Sequence, residues 1–229
     1  MYAAKNNVNS TQKLIVIEGL DGSGKATQAK LLAEGLKVDG MTVREVSFPD
    51  YQSPSSSLVK MYLGGEFGSH PDDVNAYAAS SFYAVDRYAS FKKDWREDWE
   101  RGIVIADRYT TSNAIHQCSK IPKDKWDSYL DWLFHYEYEL LGIPEPELVI
   151  YLRVDPEVSQ RLVTERYEGQ EEKKDIHEKD LEYLRNCQVA ADYCSKRLEW
   201  KVVECCKNDE MRSIEDIQND IQSIINSLL

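Results

Sequence analysis

Seven consecutive residues, Gly19-Leu20-Asp21-Gly22-Ser23-Gly24-Lys25, carry the spacing GxxxxGK. Three glycines let such a loop curl until its backbone N–H groups converge, a geometry suited to phosphate oxygens. The lysine adds a mobile point charge for the outer phosphates. The bare pattern also arises by chance in surface turns, so context decides. An apolar run at 14–17, followed by Glu18, leads into the loop, and Ala29, Leu31, Leu32 and Leu36 recur after it at helical spacing. Strand, glycine loop and helix in that order aim the positive end of the helix at the same oxygens. Ala26 stands where this motif ordinarily has Ser or Thr, and Thr27 lies one position late.

Three further constellations narrow the chemistry. The apolar run at 103–106 ends in Asp107-Arg108. A carboxylate emerging from a buried strand beside a phosphate loop suits the water shell of Mg²⁺. The adjacent guanidinium suits a second phosphate, gripped bidentately. Tyr83 and Arg87 are four positions apart, one face of a helix, where a ring stacks a nucleobase and an arginine donates to its carbonyl edge. FPDY, residues 48–51, supplies aromatic surface opposite through Phe48 and Tyr51. Two aromatic walls, two arginines and a phosphate loop describe a second nucleotide site facing ATP.

The elements that must position these groups alternate. Strands are expected at 14–17, 42–48, 103–106, 148–154 and 200–205, with helices at 25–38, 72–101, 123–141, 156–166, 178–198 and 213–228. Apolar runs without alternation suit strands covered on both faces. Five parallel strands with crossover helices predict an open α/β sandwich with its ligand site at the C-terminal strand ends. Residues 1–12 read as a flexible polar tail and 13–229 as one domain. The charged stretch 164–178 interrupts the pattern; taken alone it reads as a solvated loop.

Composition excludes several classes. The 229-residue chain has net charge −12 and pI near 4.9, which disfavours a nucleic-acid backbone as partner. No apolar run approaches the roughly 18 residues of a membrane span. The five cysteines form no CxxC pair and read as reduced thiols of a cytoplasmic protein. The four histidines have no metal-ligand spacing.

Across nearly its whole length the sequence resembles the thymidylate kinase family. The matching pieces stand in the family's order: EGLDGSGKATQ, FPDY, FYAVDR, DRYTTSNA, LGIPEPELVIYLRVDPE and DIHEKDLEYL. The resemblance implies a nucleoside-monophosphate-kinase P-loop fold of strand order 2-3-1-4-5, with a mobile lid at about 164–178. It implies transfer of the γ-phosphoryl group of ATP to dTMP, giving dTDP and ADP with Mg²⁺ in dTTP synthesis, by a homodimer. Gly19 to Thr27 would hold the ATP phosphates, with Asp21 between donor and acceptor near the sugar hydroxyl or the metal. Phe48 and Tyr83 would stack thymine, Arg87 would bond its carbonyl, and Arg108 would hold the acceptor phosphate. Asn113 and His116 would line the base and sugar pocket, and Asp175 and Glu178 would flank it. Ala26 leaves the metal to Asp107, Asp21, nucleotide oxygens and water. The loop carries no cation before Lys25, which shifts the transition-state charge to the lid, to Arg166. Asp50 and Tyr51 stand where many members have an arginine. Kinases for another monophosphate or for a deoxynucleoside, and a non-catalytic ATP-binding protein, are the competing readings.

Overall fold

The computed structural model describes residues 12–166, 177 and 181–228, the side chain of Arg166 excepted. Five parallel strands form one sheet: β1 Lys13–Gly19, β2 Val43–Ser47, β3 Ile103–Asp107, β4 Leu148–Arg153 and β5 Lys201–Glu204. Their order is β2-β3-β1-β4-β5, as the resemblance implied. In register, Ile17 of β1 lies beside Asp107 of β3, and Gly19 lies beside Leu152 of β4. The loops after β1 and β3 therefore open at the same sheet edge.

Strand alternation explains the uninterrupted apolar runs. Leu14 and Val16 face one core, together with Val104, Ala106 and Tyr151. Ile15 and Ile17 face the other, with Ile105, Ile150 and Leu152. Helices α1 (Lys25–Val38) and α9 (Ile214–Asn226) cover the second face. The first is covered by α3 (Ala76–Ser90), α5 (Thr110–Cys118), α6 (Trp126–Phe134) and α8 (Leu181–Arg197). Both faces of the central strands β1, β3 and β4 are covered, so residues 14–17, 103–106 and 148–152 are apolar whichever way they point, while the edge strands β2 and β5 keep charged residues.

The long helices expected at 72–101 and 123–141 are interrupted. The first begins as a 3₁₀ turn, continues as α3, widens into a π-helical stretch Phe91–Trp95 and ends in α4, Arg96–Arg101. The second passes from a 3₁₀ turn through α6 to a π-helical stretch, His135–Leu140. Helix α7 spans Pro156–Arg166, as expected. Three elements have no counterpart in the sequence reading: α2 (Ser57–Leu63), α5, and a small hairpin of β6 (Cys206–Lys207) and β7 (Glu210–Met211). The reason is plainest for α5. It buries eight of its nine residues, among them Thr110, Thr111, Asn113, His116 and Gln117. A helix with polar residues on its buried side shows no apolar stripe.

Candidate active site

The phosphate loop runs from the end of β1 into α1. Gly22 has φ +78°, and a Cβ there would lie 2.8 Å from the Ser159 carbonyl oxygen of α7. Only glycine satisfies both conditions. Gly24, at φ 83°, is the N-cap of α1 and is followed directly by Lys25. Lys25 folds back over the loop and donates to the Leu20 carbonyl at 2.8 Å. Burial and the Arg108 guanidinium bring its ammonium down to about 8, against the opposing pull of Asp21, Asp107 and Glu18.

Arg108 links this loop to the neighbouring strand. It sits at φ 67° after β3, donates to the Asp21 carboxylate and lies 3.9 Å from Glu18. Burial alone would raise the Asp21 carboxyl, yet Arg108 and Lys25 hold it well below the usual carboxylate range. Glu18 is fully buried at the end of β1. It accepts from the Gly19 N–H at 3.0 Å and from the Thr111 and Ser112 hydroxyls at 2.8 Å each. The expectation treated Glu18 only as the end of a strand; it is the anchor that joins loop, α5 and Arg108. A charged residue closing an apolar run was the one available signal.

Asp107 was expected beside the metal. Its Oδ1 is buried at the end of β3 and has no hydrogen-bond partner among the described residues. An orphaned carboxylate oxygen at the phosphate edge, near an ionised Asp21, fits a hydrated Mg²⁺. Among the described residues no three His, Cys, Asp or Glu side chains cluster as a self-sufficient metal cage. The residues therefore fit an ion whose remaining ligands come from nucleotide and water, as the alanine at position 26 requires.

The second compartment lies across Arg108. Its residues come together only in part as expected. Tyr83 is half-buried on α3, its ring edge-on to Tyr62 at 6.4 Å. Tyr51 is exposed and close enough to act electrostatically on Arg108, so the 48–54 loop lies beside that guanidinium. Phe48 corrects the sequence reading of an open aromatic wall. It is 4% exposed and packs on Tyr109 at 5.8 Å and Trp95 at 6.5 Å, because the loop is drawn inward by Asp86. That buried carboxylate accepts from the Asp50 N–H at 2.8 Å and the Ser55 hydroxyl at 2.5 Å.

Arg87 also differs from an arginine reaching into an open cleft. Its side chain is 2% exposed and forms a two-pronged pair with the fully buried Glu137, at 2.7 and 2.6 Å. Burial opposes its charge, but Glu137 more than restores it. Asn113 donates to the Ser80 carbonyl at 3.2 Å and to Glu137 at 3.4 Å. His116 is buried, stacked on His177 at 5.6 Å and 15°, with Tyr183 beyond. Burial and then Arg108 push the His116 imidazole down to about 3, so it is neutral. Glu137, Asp86 and His177 were missed, since each acts through partners distant in sequence. Asp175, Glu178 and the Arg166 side chain lie outside the described residues.

A P-loop at the C-terminal edge of a 2-3-1-4-5 parallel sheet, facing a second compartment across one shared arginine, defines a phosphotransferase of the nucleoside-monophosphate-kinase class. The comparisons narrow that class. A family model described as Thymidylate kinase matches residues 17–221. The thymidylate kinase of Mycobacterium tuberculosis is 30% identical over 175 residues, covering 74% of this chain and 79% of the relative. That of Plasmodium falciparum is 29% identical over 215 residues, covering 91% and 87%. A solved thymidylate kinase structure from Candida albicans shares the fold, with TM-score 0.71 and 21% identity over 96% of this chain and 93% of that one. The chain belongs to the thymidylate kinase family, whose members are ATP-dependent nucleoside monophosphate kinases. Among the described residues no helix is long and apolar enough to cross a membrane.

Proposed function

We propose that this site transfers the γ-phosphoryl group of ATP to the 5′-phosphate of dTMP, releasing dTDP and ADP. The observation that carries the reading is the Lys25–Asp21–Arg108 junction. It puts one cation on the donor loop and another at the mouth of the second compartment, with an ionised carboxylate between them. Two phosphates brought into line repel strongly, and fixed cations in a partly dry site offset that repulsion without reorganising. The loop N–H groups and Lys25 hold the donor chain; Arg108 orients the acceptor phosphate. That phosphate is already ionised, so it is its own nucleophile. Arg87, Asn113 and Tyr83 hold the base, and neutral His116 faces the sugar without adding charge. Mg²⁺, held through Asp107 and Asp21, would supply further positive charge to the phosphate oxygens. Arg166 would supply the transition-state cation, and Asp175 and Glu178 would flank the acceptor nucleotide.

We also propose a homodimer formed through α3. Tyr77, Val85 and Tyr88 are 45%, 40% and 39% exposed and share one helical face. Trp95, just beyond the end of that helix, is core. The five free cysteines, four of them buried, suit a reducing cytoplasm.

A coupled assay with ATP, Mg²⁺ and each nucleoside monophosphate tests the activity. ADP formation with dTMP is the expected result. Its absence with both dTMP and dUMP overturns the kinase reading.

A further inference from the structure

Glu137 sits in the π-helical stretch after α6, with no exposed surface. Its carboxylate takes four hydrogen bonds. Oε2 accepts from Arg87 Nε at 2.7 Å and from the Thr110 hydroxyl at 2.8 Å. Oε1 accepts from Arg87 Nη2 at 2.6 Å and from Asn113 Nδ2 at 3.4 Å. One buried acid thus ties together two of the side chains assigned to the base, Arg87 from α3 and Asn113 from α5.

The consequence is directional. A carboxylate only accepts, a guanidinium only donates, and an amide does one at each end. Asn113 gives its amide protons to Glu137 and to the Ser80 carbonyl, so only its Oδ1 acceptor is left for a ligand. Arg87 gives Nε–H and one Nη2–H to Glu137 and one Nη1–H to the Tyr109 carbonyl at 3.4 Å. One N–H on each Nη is left, and both are donors.

We propose that Glu137 is the positioning residue that sets the polarity of base reading, presenting Arg87 as donor and Asn113 as acceptor. That pair complements the adjacent carbonyl and ring N–H of thymine. It opposes the amino group and bare ring nitrogen of cytosine, which offer a donor to Arg87 and an acceptor to Asn113. A site of fixed polarity rejects the wrong pattern because its own buried groups are left unpaired. A glutamine at 137 would set its N–H₂ against a donor of Arg87 in either orientation, and against Asn113 or Thr110 as well, forcing the guanidinium to turn.

The inference rests on the proposed reading that Arg87 and Asn113 hold a pyrimidine base. Wild-type turnover of dTMP is therefore measured first, and its failure overturns that reading and this inference together. Dissociation constants for dTMP and dCMP are then measured by titration calorimetry on the full chain, for wild type, Glu137→Gln and Thr110→Val. Glu137→Gln should weaken dTMP about 30-fold while changing dCMP less than about threefold, narrowing the ratio about tenfold or more. Thr110→Val removes one donor and leaves no unpaired charge; it should narrow the ratio about threefold, and it carries the test alone if Glu137→Gln does not fold. A buried pair that only holds helices together would weaken both ligands alike. Equal weakening, or unchanged dTMP affinity in a folded variant, overturns the proposal.

Discussion

The groups proposed to hold the donor phosphates come from a single run, Gly19 to Thr27, at one strand end and the helix start that follows it. The proposed acceptor half draws Tyr83 and Arg87 from α3, Arg108 from the end of β3, Asn113 and His116 from α5, and Glu137 from the stretch after α6. The donor loop owes its shape to φ angles and one close approach, of Gly22 to Ser159. The acceptor compartment owes its shape to buried charges that meet across the core. A local device tolerates change everywhere but at its own residues. An assembled one is sensitive wherever a partner is removed, including at residues that never touch a nucleotide.

The largest effect should come from the lid. Arg166→Ala should lower kcat about 10³-fold or more while leaving dTMP affinity nearly unchanged, read from steady-state rates beside calorimetric titration. A loss below tenfold would move the role to another cation of this part of the chain, Arg161, Lys173 or Lys174. Lys25→Met should lower kcat about 10²- to 10³-fold, since a preorganised cation at developing charge has that size of effect.

Stability separates the halves more directly. Glu137→Ala leaves the Arg87 guanidinium buried without its counter-ion and should cost about 3–5 kcal/mol in urea unfolding. Gly24→Ala meets open space at φ +83° and should cost only about 1–2 kcal/mol. Equal costs would erase the distinction between an assembled and a local site.

Acid should act on the acceptor half. His116 is held near 3 in the folded chain against a usual value of 6.5. Between those values the unfolded chain binds a proton that the folded one does not, so stability falls as pH falls through that window. His116→Phe should lose less stability than wild type between pH 7 and pH 5, measured by urea midpoints. An identical decline would show that other groups carry the acid sensitivity. The smallest effect belongs to the loop: Ala26→Ser should lower the Mg²⁺ concentration for half-maximal activity about threefold, by adding one oxygen ligand. No change there would place the metal beyond reach of position 26.

Legibility followed the same division. Helix α1 begins and ends where its apolar spacing placed it, and the strand order followed from the motifs that carried the resemblance. Arg108 was legible because strand ends at one edge of a parallel sheet must converge. Phe48 was misplaced because an aromatic on a proline-containing loop gives no sign that a buried Asp86 pulls its loop inward. Arg87 looked like a ligand-facing arginine without a counter-ion because Glu137 lies 50 positions away. Helix α5 escaped notice because its buried side is polar.

What residue order determined by itself is the phosphate loop, the parallel sheet and the family. These rest on short-range geometry, on apolar runs, and on motifs whose order along the chain is itself information. What tertiary structure alone decided is the electrical character of the second compartment. Arg87 is paired, His116 is neutral, Asp21 is ionised and the Asp107 Oδ1 has no partner among the described residues. Charge state depends on burial and on neighbours a few ångströms away, and neither can be read from distance along the chain.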